Sequence, residues 1–305
     1  WTNNITGLDF APNFVWLKDR TNVNSGRIND TVRTATKYLI PSTTGAEATE
    51  SAGLTSFNSD GFSLGSNSNF NGNSANFVSW NWKAGTSFTN DASSTGVGSI
   101  DSTGSVNETA GFSIVSYTGN GSAGASVKHG LSSIPKMIIF KRRGSGGWNV
   151  YHAGIGNTKS ISLNTDAATD TDTTYWNNTT PTSSVFSLGT SAAGNGNGNS
   201  MISYCFAEKQ GYSKFGSYTG NGSATDGTFI YTGFKPAWLV AKRTNDTGAW
   251  YTVDNKRDTF NVTHKWLDLD SSDAENTSSA ALNVDFLSNG FKNRTSNNSR
   301  NGSGQ

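Results

Sequence analysis

An all-β fold is what this sequence predicts: tandem β-sandwich units, jelly-roll or concanavalin-like, each about 100 residues long with few short helices. Three observations carry that expectation. Asn, Ser, Thr and Gly crowd the chain, and these residues suit turns and exposed strand positions while disfavouring helix interiors. The motif SYTGNGSA occurs twice, at residues 116–123 and 217–224. Short apolar runs bounded by turn residues recur in the same order along the chain.

Composition narrows the function classes. The 305 residues are 15% charged and 33% hydrophobic, with a formal net charge of +1. Disorder needs high net charge and few aromatics. An aromatic content of 11%, with nine Trp, excludes it. A near-zero net charge supplies no broad field for nucleic acid or an anionic membrane surface. No apolar run approaches the roughly 18 residues of a membrane span, so membrane insertion is not expected. Cys205 is the only cysteine, so packing rather than a disulfide must hold the fold. A chain that starts at Trp1, without an initiator Met or a signal peptide, is expected to be a fragment of something longer.

The repeat organises the chain. Tyr117 and Tyr218, Pro135 and Pro236, and Lys141 and Lys242 are each 101 positions apart, an internal repeat of domain size. A third copy lies upstream, where FAPNFVWLKDR from Phe10 matches SIPKMIIFKRR from Ser133 and FKPAWLVAKR from Phe234. The predicted units are residues 1–83, lacking a first strand, 111–210, and 211–305, lacking a last strand. Residues 84–110, rich in Gly, Ser and Thr, read as a linker or extended connection.

Within each unit the elements follow in order. SYTGNGSA reads as a strand end entering a type I′ turn at Asn-Gly. The continuous apolar runs 14–17, 137–140 and 238–241 read as strands buried on both faces. One or two helical turns are expected at 46–52, 166–172 and 273–280. Signatures such as Gly61-Phe62-Ser63-Leu64 and Val185-Phe186-Ser187-Leu188 follow as further strands. Val78, Trp80 and Trp82, like Ile202, Tyr204 and Phe206, alternate with period two and mark an aromatic face.

Chemistry is sparse. His129, His152 and His264 each stand alone, with no HxH, HExxH or Cys partner, so neither a zinc site nor any other metal or cofactor is expected. The loop 194–198, Gly-Asn-Gly-Asn-Gly, lacks the Lys-Ser/Thr of a phosphate loop and reads as a flexible hairpin tip. Asp268, Asp270, Asp273 and Glu275 cluster without EF-hand spacing and read as a solvated helix start. Asp254 and Arg257, like Asp30 and Arg33, read as ion pairs, and His152 and Ile155 take their place in the middle unit. No catalytic residue is assigned. The candidate glycan-binding residues are Trp148, Trp176 and Trp250, whose rings could stack on sugars, with Arg143 and Arg243 for acidic groups.

The signatures GFSIVSYTGNGSA, PKMIIFKRR, VFSLG, YCFAE and GFKPAWLVAKR resemble tandem-repeat virion appendage proteins, tail-fibre-like, of marine bacteriophages. The resemblance covers nearly the whole chain and is strongest over 111–258. It implies a non-enzymatic virion structural protein at the particle surface, bound to other virion proteins and attaching to host-surface glycan. A homo-oligomer, with a trimer possible, would suit a fibre. A capsid-decorating or tail-structural protein without a receptor role is the alternative, and a polysaccharide-degrading tailspike the second.

Overall fold

The three apolar runs become the strands about which each unit is built. The computed structural model describes residues 2–278 and 282–305. The first unit contains β1 (Asn3–Thr6), β2 (Phe14–Asp19), β3 (Arg27–Asp30), β4 (Thr34–Leu39), β5 (Ala48–Thr49), β6 (Leu54–Asn58), β7 (Gly61–Leu64), α1 (Ser68–Asn71) and β8 (Phe77–Trp82). Then come β9 (Thr86–Asn90), α2 (Ala92–Thr95) and β10 (Ser102–Asn107). The second unit continues with β11 (Phe112–Thr118), β12 (Ala125–Lys128), β13 (Pro135–Arg142), β14 (Trp148–His152), β15 (Lys159–Ser162), β16 (Asp170–Thr171), β17 (Val185–Leu188), α3 (Ala192–Asn195) and β18 (Ser200–Ala207). The third holds β19 (Phe229–Tyr231), β20 (Trp238–Ala241), β21 (Tyr251–Asp254), β22 (Leu267–Asp268), β23 (Val284–Leu287), β24 (Gly290–Asn293) and α4 (Asn298–Asn301).

Each unit is a two-layer β-sandwich, as the sequence predicts. The main sheets run β5-β4-β3-β2-β8, β16-β15-β14-β13-β18-β11-β10-β9 and β20-β21-β22. Smaller sheets, β1-β7-β6, β12-β17 and β19-β24-β23, cover one face of each. All named pairings are antiparallel, which lets the two faces of a strand serve different cores. Along β14, Asn149 and Tyr151 face the small sheet while Trp148 and Val150 face the other way.

That other face builds what the repeat alone did not reveal. The three main sheets share one central core, with Phe14 and Trp80 from the first unit, Tyr204 and Trp148 from the second, and Trp250 and Leu267 from the third. Phe14 meets Tyr204 edge-on at 4.8 Å, and Trp82 meets Trp238 at 5.2 Å. The units therefore close a ring, each touching both others, rather than hanging as beads.

Several expectations are corrected. Residues 84–110 are not a linker: β9 and β10 extend the second unit's main sheet beyond β11, because Thr-, Ser- and Phe-containing segments pair wherever a strand edge receives them. The stretches 46–52 and 166–172 carry the short strands β5 and β16 instead of helix, and residues 273–278 are irregular apart from a bridge at Asn276. Residues 279–280 of the third expected helix lie outside the described residues. The helices that do form are single turns capped by Asn67, Asp91, Ser191 and Asn297, whose side chains accept from nearby backbone N–H groups.

SYTGNGSA has a different turn from the one expected. Gly121 has φ +73° and Gly222 φ +72°, but the preceding Asn120 and Asn221 do not take the left-handed conformation a type I′ turn needs. The loop is instead clasped by a buried asparagine at the end of the single-turn helix. Asn195 Oδ1 accepts from Asn120 N, and its Nδ2 donates to Ser122 O and Gly189 O. Asn301 repeats this with Asn221 N, Ser223 O and Thr295 O. Gly119 and Gly220 lie so close to this clasp that a Cβ would come within 2.6 Å and 2.4 Å of the carbonyls of Gly196 and Gly302. The motif is repeated because the clasp admits little else. Residues 194–196 are thus buried in the clasp rather than forming a hairpin tip, and Asn197 and Gly198 are exposed beside it.

His129 is fully buried in the second unit. Its Nδ1 accepts from Leu131 N at 3.1 Å, so its Nε2 carries the proton and donates to Thr182 O at 3.1 Å. Burial lowers this imidazole from 6.5 to about 4. The unfolded chain therefore binds the extra proton between pH 6.5 and 4 while the folded chain resists it. Stability is expected to be complete above pH 6.5 and to fall as pH drops through that window, by about 3 kcal/mol for this group. Urea unfolding at pH 7 and pH 4.5, in the wild type and in His129→Gln, checks this. Identical pH dependence in the two proteins would contradict it.

Candidate functional site

The five residues that the sequence marks for glycan contact do not form a site. Trp148 is 0% exposed, and its Nε1 donates to Ile40 O of the first unit at 2.9 Å. Trp250 is buried in the same way against the second unit, with Nε1 donating to Ser162 O at 2.8 Å. Trp176 fills the second unit's own core between Phe140 and Tyr151. Arg143 forms a two-pronged pair with Glu47, 2.9 Å and 2.8 Å, across the junction of the first two units. Arg243 pairs with Asp246 at 2.9 Å and donates to Gln305. Each ring or cation is consumed by a contact within its unit or at a junction between units, which local sequence could not show.

The junctions explain the remaining charged motifs. Asp30 and Arg33 form a buried ion pair at 2.6 Å, as do Asp254 and Arg257. Tyr204 Oη donates to Asp30 Oδ2 at 2.8 Å, and Trp80 Nε1 to Asp254 Oδ2 at 3.3 Å, so one unit's closing strand caps the next unit's carboxylate. Glu275 receives Arg20 at 2.7 Å and Arg257 at 2.9 Å, so this member of the acidic cluster is engaged at the first–third junction. Asp270 accepts from Trp250 N at 3.0 Å. Burial, then the charge of Asp270, raises the Asp268 carboxyl to about 6. Lys18, Lys141 and Lys242 close their strands by donating to backbone carbonyls, and burial lowers each ammonium to about 8. The second–third junction differs: His152 and Ile155 replace the Asp and Arg, and Thr169 bonds Thr244 O where the others set Glu against Arg.

One surface stands apart. On β19-β24-β23, Ile230, Phe291 and Phe286 point into the third unit's core. The alternate positions face outward, and there β19 carries Phe229, 44% exposed, and Tyr231, 64% exposed. Between them and β23 lies Gly290, where a Cβ would meet the Phe229 ring at 2.9 Å, so the ring lies down over bare backbone. Lys292, paired with Asp226 at 2.7 Å, sits in register with Phe229, next to Asp285, which pairs with Arg294 at 3.4 Å. Exposed Phe260 and Val262 occupy the adjoining loop, which the Asn261 side chain holds to both backbone groups of Phe286 at 2.9 Å.

The repeat supplies an internal control. The first unit places Asn4 and Thr6 at the positions of Phe229 and Tyr231, paired with Ser63 and Gly61 of β7. The second unit places Ser126 and Lys128 there, paired with Ser187 and Val185 of β17. The same sandwich therefore folds twice with polar residues at these points. Two exposed rings in the third copy are not required by packing, and their contact with water forgoes part of the roughly 1.5–3 kcal/mol that full burial of a large apolar side chain contributes. Sequence reasoning missed them; the available signal was Phe-Ile-Tyr alternation where the sister strands read Asn-Ile-Thr and Ser-Val-Lys.

A family model described as a domain of unknown function (DUF7483) matches residues 1–305. No curated protein and no solved structure matches the chain.

Proposed function

We propose, for a chain that belongs to the DUF7483 domain family, a non-enzymatic role in a bacteriophage virion, as a tail fibre or similar appendage that attaches to host-surface glycan. The observation that carries the attachment is the aromatic outer face of the third unit, with Phe229 and Tyr231 exposed where the other two units are polar. Flat rings beside the Lys292–Asp226 pair offer a pyranose both an apolar platform and hydrogen-bonding groups. Attachment to the particle itself rests on the resemblance of the repeats; in this reading the protein binds other virion proteins and self-associates into a fibre. A non-enzymatic role agrees with the carboxylates at the ring junctions, which are committed to arginines.

The test is a glycan array of host-surface polysaccharides, with the wild type against Phe229→Ala/Tyr231→Ala. Binding by the wild type is expected, weakened about tenfold or more in the variant, since each ring contact contributes about 0.5–1.5 kcal/mol. Equal binding in both would remove this face from the reading. Immunogold labelling of whole particles separates the alternatives: label at tail or fibre tips supports attachment, and label spread over the head favours capsid decoration.

A further inference from the structure

The third unit departs from its sisters by more than two rings. The second and third copies match without a gap through Ala123 and Ala224. Gly124 then follows directly in the second, whereas Thr225 and Asp226 intervene before Gly227 in the third. Beyond this insertion the strands resume in register, with Ser126 paired to Ser187 and Phe229 to Lys292. Both inserted residues are engaged. Asp226 Oδ1 accepts from Lys292 Nζ at 2.7 Å, and Thr225 O accepts from Arg294 Nη1 at 3.3 Å. Where the third unit has Lys292 and Arg294, the second has Ser187 and Gly189, and the first has Ser63 and Gly65. The insertion, the two cations and the two exposed rings therefore occur together, in one copy of the three.

Asp226 is fixed in place by the repeated motif. Its N–H donates to Ser223 Oγ at 2.9 Å, and its carbonyl accepts from Asn221 Nδ2 at 2.7 Å. The carboxylate stands out in solvent, 90% exposed, whereas Lys292 is 25% exposed. The hydrogen bond from Lys292 holds the Asp226 carboxyl below its usual range, so it is an anion at neutral pH. The neighbouring pair of Arg294 and Asp285 adds no net charge. In the adjoining loop Asp258 accepts from His264 N and Lys265 N, and Lys265 Nζ donates to Arg257 O. The charge that a ligand meets first beside Phe229 is thus negative. An acidic sugar stacked on that ring would bring its carboxylate or sulfate against Asp226 and would find Lys292 already paired. A hydroxyl can donate to the carboxylate and accept from the ammonium.

We propose that Asp226 makes this face selective for uncharged pyranose chains and turns acidic glycans away. The inference rests on the reading of Phe229 and Tyr231 as the attachment surface. The rings supply affinity, and the inserted carboxylate supplies discrimination through repulsion rather than through an added contact. Pairing keeps Lys292 open to a hydroxyl while denying it to a competing anion. Attachment that depends on ring stacking between uncharged partners is also insensitive to salt, because there is no ligand charge to screen.

The test takes each neutral polysaccharide that binds on the array and compares it with its derivative oxidised to carboxylates at the primary alcohols. The wild type is expected to bind the neutral chain about tenfold or more tightly than the oxidised one. Asp226→Asn keeps the shape and frees Lys292. It is expected to shift that ratio about tenfold toward the oxidised chain, and the binding so gained should weaken as salt rises. Lys292→Gln leaves the carboxylate unpaired and is expected to shift the ratio the other way. An unchanged ratio in Asp226→Asn would overturn the inference. So would a wild type that prefers acidic chains and loses them in Phe229→Ala/Tyr231→Ala, although the attachment face would then stand. Binding of no chain of either charge would overturn both the selectivity and the attachment reading beneath it.

Discussion

Trp148→Ala is expected to cost about 3–5 kcal/mol of folding stability, the range for emptying a fully buried Trp position. The ring is 0% exposed in the central core, and its Nε1 holds Ile40 O at 2.9 Å across the first junction. Its loss removes packing and takes the indole donor from that carbonyl, leaving it only Thr43 N at 3.3 Å. Urea unfolding checks the prediction, with Tyr231→Ala as the exposed reference, expected within about 0.5 kcal/mol of wild type. A loss below about 1 kcal/mol at Trp148 would mean that the junction is not packed as described.

Asp30→Ala is expected to cost a similar amount, about 3–5 kcal/mol, for an electrostatic reason. Asp30 is 0% exposed and accepts from Arg33 Nε at 2.6 Å, Arg33 N at 2.9 Å and Tyr204 Oη at 2.8 Å. Removing the carboxylate leaves the Arg33 guanidinium buried with Glu47, at 3.4 Å, as its remaining carboxylate partner. The second unit shows how the same position is built without the pair, because it holds His152 and Ile155 there. The double variant Asp30→His/Arg33→Ile is therefore expected to recover more than half of the loss. If it proves as unstable as Asp30→Ala, the buried pair contributes more than mutual neutralisation.

The contrast between these residues shows what sequence could reveal. The strands β2, β13 and β20 were legible because continuous apolar runs between turn residues admit few other readings. The closing strands β8 and β18 were legible from period-two alternation, and the Asp-x-x-Arg ion pairs from their spacing. Trp148 and Trp250 were misread because the surface that buries them belongs to another unit, and no local pattern encodes a neighbour 108 or 88 residues away. The strands β9 and β10 were missed for a related reason: their Thr, Ser and Gly become strand only when β11 offers an edge. Phe229 and Tyr231 could have been found by aligning the three copies of β19's position and asking where chemistry departs while the fold does not.

The closed ring also has a kinetic meaning. The pair Arg20–Glu275 spans 255 residues of sequence, so the first–third junction can form only after most of the third unit is available. Long-range closure of this kind is slow because chain entropy is lost before contacts compensate. During synthesis the first two units can assemble as they emerge, with Tyr204 already seated on Asp30. Until the third unit arrives, Trp80 and Trp82 lack Trp238, the aromatic partner that covers them in the finished ring. The last step in closing these three units is thus the docking of one sandwich onto a waiting aromatic strip, and in the interval before it that strip is open to misassociation.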